Sequence, residues 1–183
     1  MATAQPRSEG LAARVLVAVA VVALAAIVLL YLSIIRSQGG PGEPPSDTPW
    51  VVPFVAGYEI LMAVLLAVSL VVPRAIRPGL RGAASAGLFV LGVLALFSIG
   101  LGDIIVAALA IAATVLSVVK SPGPRSWVSV APAAIAAVAI LFGGFQIAWS
   151  HIVCQPTGQS GGSSAGIFGG SSYDCNDGVL TYH

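Results

Sequence analysis

Apolar residues run along this chain in long blocks, broken by short clusters of arginine, proline and glycine. The first block, 11–35, reads LAARVLVAVAVVALAAIVLLYLSII, and the second, 53–72, reads PFVAGYEILMAVLLAVSLVV. Each falls in the range of about 17–25 residues that carries an α-helix across a bilayer. A third block covers 83–119. As one helix it would measure about 55 Å at 1.5 Å per residue, beyond the hydrocarbon thickness. The run Ser98-Ile99-Gly100-Leu101-Gly102 marks a break, with Asp103 placed as N-cap of the helix that follows. The pattern predicts spans over 11–35, 53–72, 83–99, 103–119 and 127–150. That is an all-α integral membrane protein, a bundle of five transmembrane helices over 11–150.

Charge gives this bundle a direction. Arg7 precedes the first span and Arg14 lies in its first turn, Arg74, Arg77 and Arg81 separate the second from the third, and Lys120 and Arg125 separate the fourth from the fifth. With five spans all of these fall on one face, as the positive-inside rule requires. Glu43, Asp47, Asp103, Asp174 and Asp177 fall on the other. Four spans would split the basic loops between the two faces. The N-terminal segment 1–10 is therefore expected inside, and the tail 151–183 outside. Trp127 and Trp149 lie about 33 Å apart on the fifth span, which suits aromatic anchors at two interfaces, and Trp50 and Tyr31 mark outer ends. A cleaved signal peptide fits the first block poorly, because the block exceeds the usual apolar length and Ile35-Arg36-Ser37 is no small-residue cleavage site.

Composition agrees. Hydrophobic residues make up 57 % of the chain and charged residues 8 %, against about 25 % charged in a soluble domain. A net charge of +1 offers no basic field for nucleic acid. Seven arginines against one lysine, with a single asparagine, point to a high-GC bacterial source and hence a plasma (inner) membrane. The first outer loop, RSQGGPGEPPSDTPW, is rich in proline and glycine and reads as an extended connector.

The tail, 151–183, is rich in glycine and serine and holds both cysteines, Cys154 and Cys175. Both thiols face the outer, oxidising side on this topology, so a disulfide is expected to close the tail. It would stabilise the tail by about 3 kcal/mol in the chain-entropy model. A metal alternative exists, because His151, Cys154, Cys175 and His183 together supply two nitrogen and two sulfur donors. The wide cysteine spacing speaks against it. Two G-x-S-x-G matches, Gly158 to Gly162 and Gly162 to Gly166, lie in a Gly/Ser tract rather than on a strand–helix elbow. Asp174-Cys-Asn176-Asp-Gly178 lacks the bidentate glutamate of a calcium loop and reads as a turn.

Glu59 is the one acid in the interior of a predicted span. A carboxylate there is costly and is a functional candidate by default. Arg36, Asp103 and His151 are placed near the same outer end and sketch a polar vestibule with it. Pairs of small residues, Ala108 with Ala112 and Ala139 with Gly143, have the spacing that lets membrane helices pack closely, first within the bundle and second between copies.

No nucleotide loop, metalloprotease motif or catalytic triad is present in this sequence, and no cofactor is implied. The expectation is a small polytopic membrane protein without enzymatic activity. It presents its outer loop and tail, with the apolar tip Ile167-Phe168, to a protein partner or a second copy, or serves as an accessory subunit of an envelope complex. The alternative is a transporter or channel component for protons or small cations using Glu59. Apart from such a partner, the bilayer is its surroundings.

Overall fold

The computed structural model describes residues 11–38, 47–96, 98–120, 128–166 and 169–183. The segment 1–10, Trp127 and the Ile167-Phe168 tip lie outside the described residues. Among the described residues five helices are followed by three strands: α1 Leu11–Gln38, α2 Val51–Val71, α3 Arg77–Leu94, α4 Gly100–Lys120, α5 Val130–Ser150, β1 Gln159–Gly166, β2 Gly169–Asn176 and β3 Val179–Tyr182. Among the described residues four helices (α1, α2, α4 and α5) are long and apolar enough to cross a membrane. This is a membrane protein, mostly helical, with a small sheet that the hydropathy pattern did not announce.

The chain divides into two compact units. One holds the described residues up to Tyr31 together with Tyr58–Leu141; the other holds Leu32–Gly57 and Phe142–His183. In the first unit, α1 buries Ala13, Val17, Ala20, Leu24 and Val28, a stripe at helical spacing. From α2, Met62, Leu66 and Ser69 are buried, and from α4, Val106, Ala107, Ala110 and Ala113.

The third helix differs most from expectation. It was placed over 83–99 with its arginines in a loop; it begins at Arg77, has Pro78 at its start and ends at Leu94. Both arginines are therefore helical and buried, at 9 % exposure for Arg77 and 0 % for Arg81. Hydrogen bonds to three acceptors offset part of the cost of burying them. Arg77 Nε donates to the Val72 carbonyl at 2.8 Å, while Arg81 donates to the hydroxyls of Ser69 at 3.1 Å and Ser117 at 2.5 Å.

Glycines are spread around α3, and its neighbours use the space. A Cβ on Gly82 would meet Val130 of α5, one on Gly87 would meet the Tyr58 hydroxyl of α2, and one on Gly92 would meet Ile104 and Asp103 of α4. At the α3–α4 connection a Cβ on Gly100 would strike the Gly92 carbonyl, so the two backbones touch. Small residues permit this approach where lipid supplies no hydrophobic drive between helices. The pairs singled out by spacing do not take part in it. Ala108, Ala112, Ala139 and Gly143 are exposed, and nothing lies within 4 Å of a Cβ built on Gly143.

In the second unit the Phe54 and Phe145 rings meet edge to face, with centroids 6.2 Å apart, and Gly144 leaves room for Phe54. Phe145 in turn packs on Trp149 at 5.6 Å. The Val153 amide donates to the Asp47 carbonyl at 2.9 Å, tying the segment after α5 to the one before α2.

Gly92→Leu is expected to destabilise the detergent-solubilised protein by about 1–3 kcal/mol through overpacking, read as a fall in Tm. Gly143→Leu, with open space before it, should leave Tm unchanged.

Candidate functional site

Glu59 and Asp103 lie on the buried stripes of α2 and α4. Both are 0 % exposed. None of their four carboxylate oxygens has a hydrogen-bond partner among the described residues. The two side chains are near enough to act on each other electrostatically, and Tyr31 of α1 is near enough to feel Glu59. Helical spacing explains the burial. Glu59 shares a face with Met62, Leu66 and Ser69, and Asp103 shares one with Val106, Ala107 and Ala110.

Asp103 is not the N-cap that its position suggested. The helix starts three residues earlier, at Gly100, and Asp103 falls in its first turn. Its Cβ packs against Gly92 of α3, and the Gly100, Gly102 and Asp103 amides donate to the Ala95 and Ile99 carbonyls instead of to its carboxylate. The other two residues of the expected vestibule lie in the second unit. Arg36 is exposed in the last turn of α1. His151 is exposed just past α5, its Nδ1 3.0 Å from the Ile147 carbonyl, at the rim of an apolar groove of about 520 Å³ between Trp50, Phe54 and Ile147.

A second polar level crosses the bundle at Ser69, Arg81 and Ser117. Along α2 it is about 15 Å from Glu59, and along α4 about 21 Å from Asp103. Fully buried Met62, Leu66 and Leu88 occupy the space between, with Leu91 at 2 % and Val106 at 1 % exposure. Sequence reasoning missed this level. Its signal was Arg81 one helical turn after Arg77, with serines isolated in two apolar helices.

Tyr58 sits beside Glu59 in sequence but faces elsewhere. Its hydroxyl lies over Gly87 and donates to the Ala137 carbonyl of α5 at 2.9 Å. Of the aromatic anchors, Trp50 is 56 % exposed immediately before α2. Trp149 is half-buried, and its Nε1 is buried without a hydrogen-bond partner among the described residues.

The tail is a three-stranded antiparallel sheet in the order β1-β2-β3. The expected Gly/Ser loop is thus two strands, Gln159 pairing with Asn176 through to Gly166 with Gly169. Burial on the central strand alternates with the pleat: Tyr173 and Cys175 are buried, Ser172, Asp174 and Asn176 exposed. The Tyr173 ring covers Gly162, directly opposite it. Between β2 and β3, Asp177 at φ 46° and Gly178 at φ 82° make the two-residue Asp-Gly turn that suits a hairpin. Asp177 also accepts from the Gly158 amide at 3.0 Å and donates its own amide to the Gly158 carbonyl.

Cys154 and Cys175 form a disulfide, with Cα atoms 5.4 Å apart. This corrects the metal alternative, since the sulfurs are bonded to each other and offer no thiolates. His183 instead pairs with Asp174 at 3.1 Å on the surface, and no cluster of three or more metal-ligating side chains occurs among the described residues. Both G-x-S-x-G matches run along or into β1, not onto a turn entering a helix.

No family model, no curated protein and no solved structure matches this chain. Function is therefore argued from these sites alone.

The Tyr173 phenol is pushed above its ordinary value, first by burial and then by the Asp47 carboxylate. A raised folded value means that the phenol supports the tail fully below the ordinary tyrosine range. That support is lost as pH rises through the folded value. Asp47→Asn is expected to lower the ionisation midpoint of Tyr173, followed as tyrosinate absorbance against a Tyr173→Phe reference.

Proposed function

We propose that this chain is a small multi-pass protein of a bacterial plasma membrane, without enzymatic activity, that displays its stapled tail to a protein partner as an accessory subunit of an envelope complex. One observation carries the reading: a segment whose composition suits a mere connector is built as a sheet, with a matched turn, a covering tyrosine and a disulfide. A disulfide persists in an oxidising compartment, which supports placing the tail outside.

The reading includes five spans, N-terminus inside and C-terminus outside. Support comes from α3. Its 18 residues span about 27 Å, near the hydrocarbon thickness. Its arginines are hydrogen-bonded by Val72, Ser69 and Ser117, so their charge does not bar it from the interior of the bundle.

A second reading, a transporter or channel component for protons or small cations, is favoured by the buried carboxyls of Glu59 and Asp103. Intramembrane acids facing protein mark such pathways.

Two measurements test the first reading. In intact cells treated briefly with reductant, a membrane-impermeant maleimide should label Cys154 and Cys175; labelling only after the membrane is opened would place the tail inside. Gentle-detergent purification from native membranes, followed by native mass, should show a stoichiometric second protein that is lost from the Cys154→Ser/Cys175→Ser variant. A lone homo-oligomer would remove the accessory-subunit reading.

A further inference from the structure

The buried acids pose a charge problem that the fold itself does not solve. Glu59 and Asp103 come from different helices, are fully buried, and present four carboxylate oxygens with no hydrogen-bond donor among the described residues. Leaving an ionised carboxylate uncompensated in such a place costs several kcal/mol, on the order of the stability of a whole domain for two. Among the described residues, the buried Arg81 donates to Ser117 and to Ser69, and Ser69 is about 15 Å along α2 from Glu59.

The groups facing the pair are few. Tyr31 acts on it from α1. Tyr58, next to Glu59 on α2, donates a hydrogen bond to the Ala137 carbonyl of α5. From α3, Gly92 packs on the Asp103 Cβ and contributes no charge. Asp103 is the acid that acts on Glu59. Neighbouring carboxyls in a dry site resist being ionised together, and a proton on one removes the charge that opposes the other.

We propose that Glu59 and Asp103 form a coupled proton-binding site, in which a proton held by one carboxyl eases ionisation of the other. This rests on the second reading above for the importance of Glu59, but it asks only for occupancy and not for flux. When the site opens to water, an O–H bond forms as a carboxylate takes a proton from hydronium, and the same bond breaks as the proton leaves to water or hydroxide. No oxidant or co-reactant is needed.

The test uses the full chain in nanodiscs and dicyclohexylcarbodiimide, an apolar reagent that modifies protonated carboxyls. The carboxyl proton passes to a carbodiimide nitrogen, an oxygen bonds to the central carbon, and rearrangement to the N-acylurea leaves a stable adduct with nothing expelled. Peptide mass spectrometry then locates it. Labelling of Glu59 or Asp103 is expected near neutral pH, falling as pH rises. In Glu59→Gln, labelling of Asp103 should retreat to lower pH by about one unit or more, a tenfold change in proton affinity. Asp103→Asn should do the same to Glu59.

Absence of labelling in the wild type from acid to alkaline pH overturns the proposal, and this arm needs no variant to fold. Labelling of each residue that ignores substitution of the other also overturns it. So does suppression by sodium at constant pH, which would make the ligand a metal cation. Proton flux into vesicles is measured separately: reciprocal labelling without flux sustains the coupled site and removes the transport reading alone.

Discussion

The α3 and α4 backbones touch where Gly92 meets Gly100, and much of the first unit is arranged by that approach. Lipid gives helices no hydrophobic reason to associate, so packing and internal hydrogen bonds must hold them. Glycine on α3 serves the packing, admitting Tyr58, Val130 and Ile104 in turn. Arg81 serves the bonding, joining Ser69 of α2 to Ser117 of α4. The same closeness brings Asp103 inward against α3 instead of back over its own helix end. The burial of Asp103 thus follows from how tightly α3 and α4 close.

The helices were legible because long apolar runs without charge have few other uses, and four of the five predicted segments coincide with helices long and apolar enough to span. The third was placed too late. Hydropathy treats arginine as a loop residue, whereas a guanidinium with serine and carbonyl partners is admitted to a helix interface. Glu59 stood out in the sequence as an acid among leucines. Its pairing with Asp103 did not, since Asp103 beside two glycines reads as a cap until the start of α4 is known. Small-residue spacing misled for a related reason. In alanine-rich helices the motif recurs by chance, and only the buried face shows which glycines matter.

The tail teaches the opposite lesson. Glycine and serine are poor strand formers by composition, and a count of residue types predicts a loop. Position tells more than composition here. Tyr173 and Cys175 alternate as strand residues do, and Asp177-Gly178 follows immediately, with Val179 to Tyr182 beyond. Such a dipeptide between alternating residues is the strongest short-range signal for a hairpin. The sheet then holds with little apolar area because one ring covers the glycine opposite and one covalent bond fixes the central strand.

That bond also sets how tension travels. The disulfide joins the residue just beyond α5 to β2, while β3 and the C-terminus hang from β2 through the Asp-Gly turn. A pull on the C-terminus would unzip β3 and then pass through the sulfur bridge straight into α5. The hairpin of β1 with the first part of β2 sits off that line, as slack closed into a ring. A partner gripping the end of the chain would strain the short last strand and the membrane helix, and the glycine-rich loop would keep its shape.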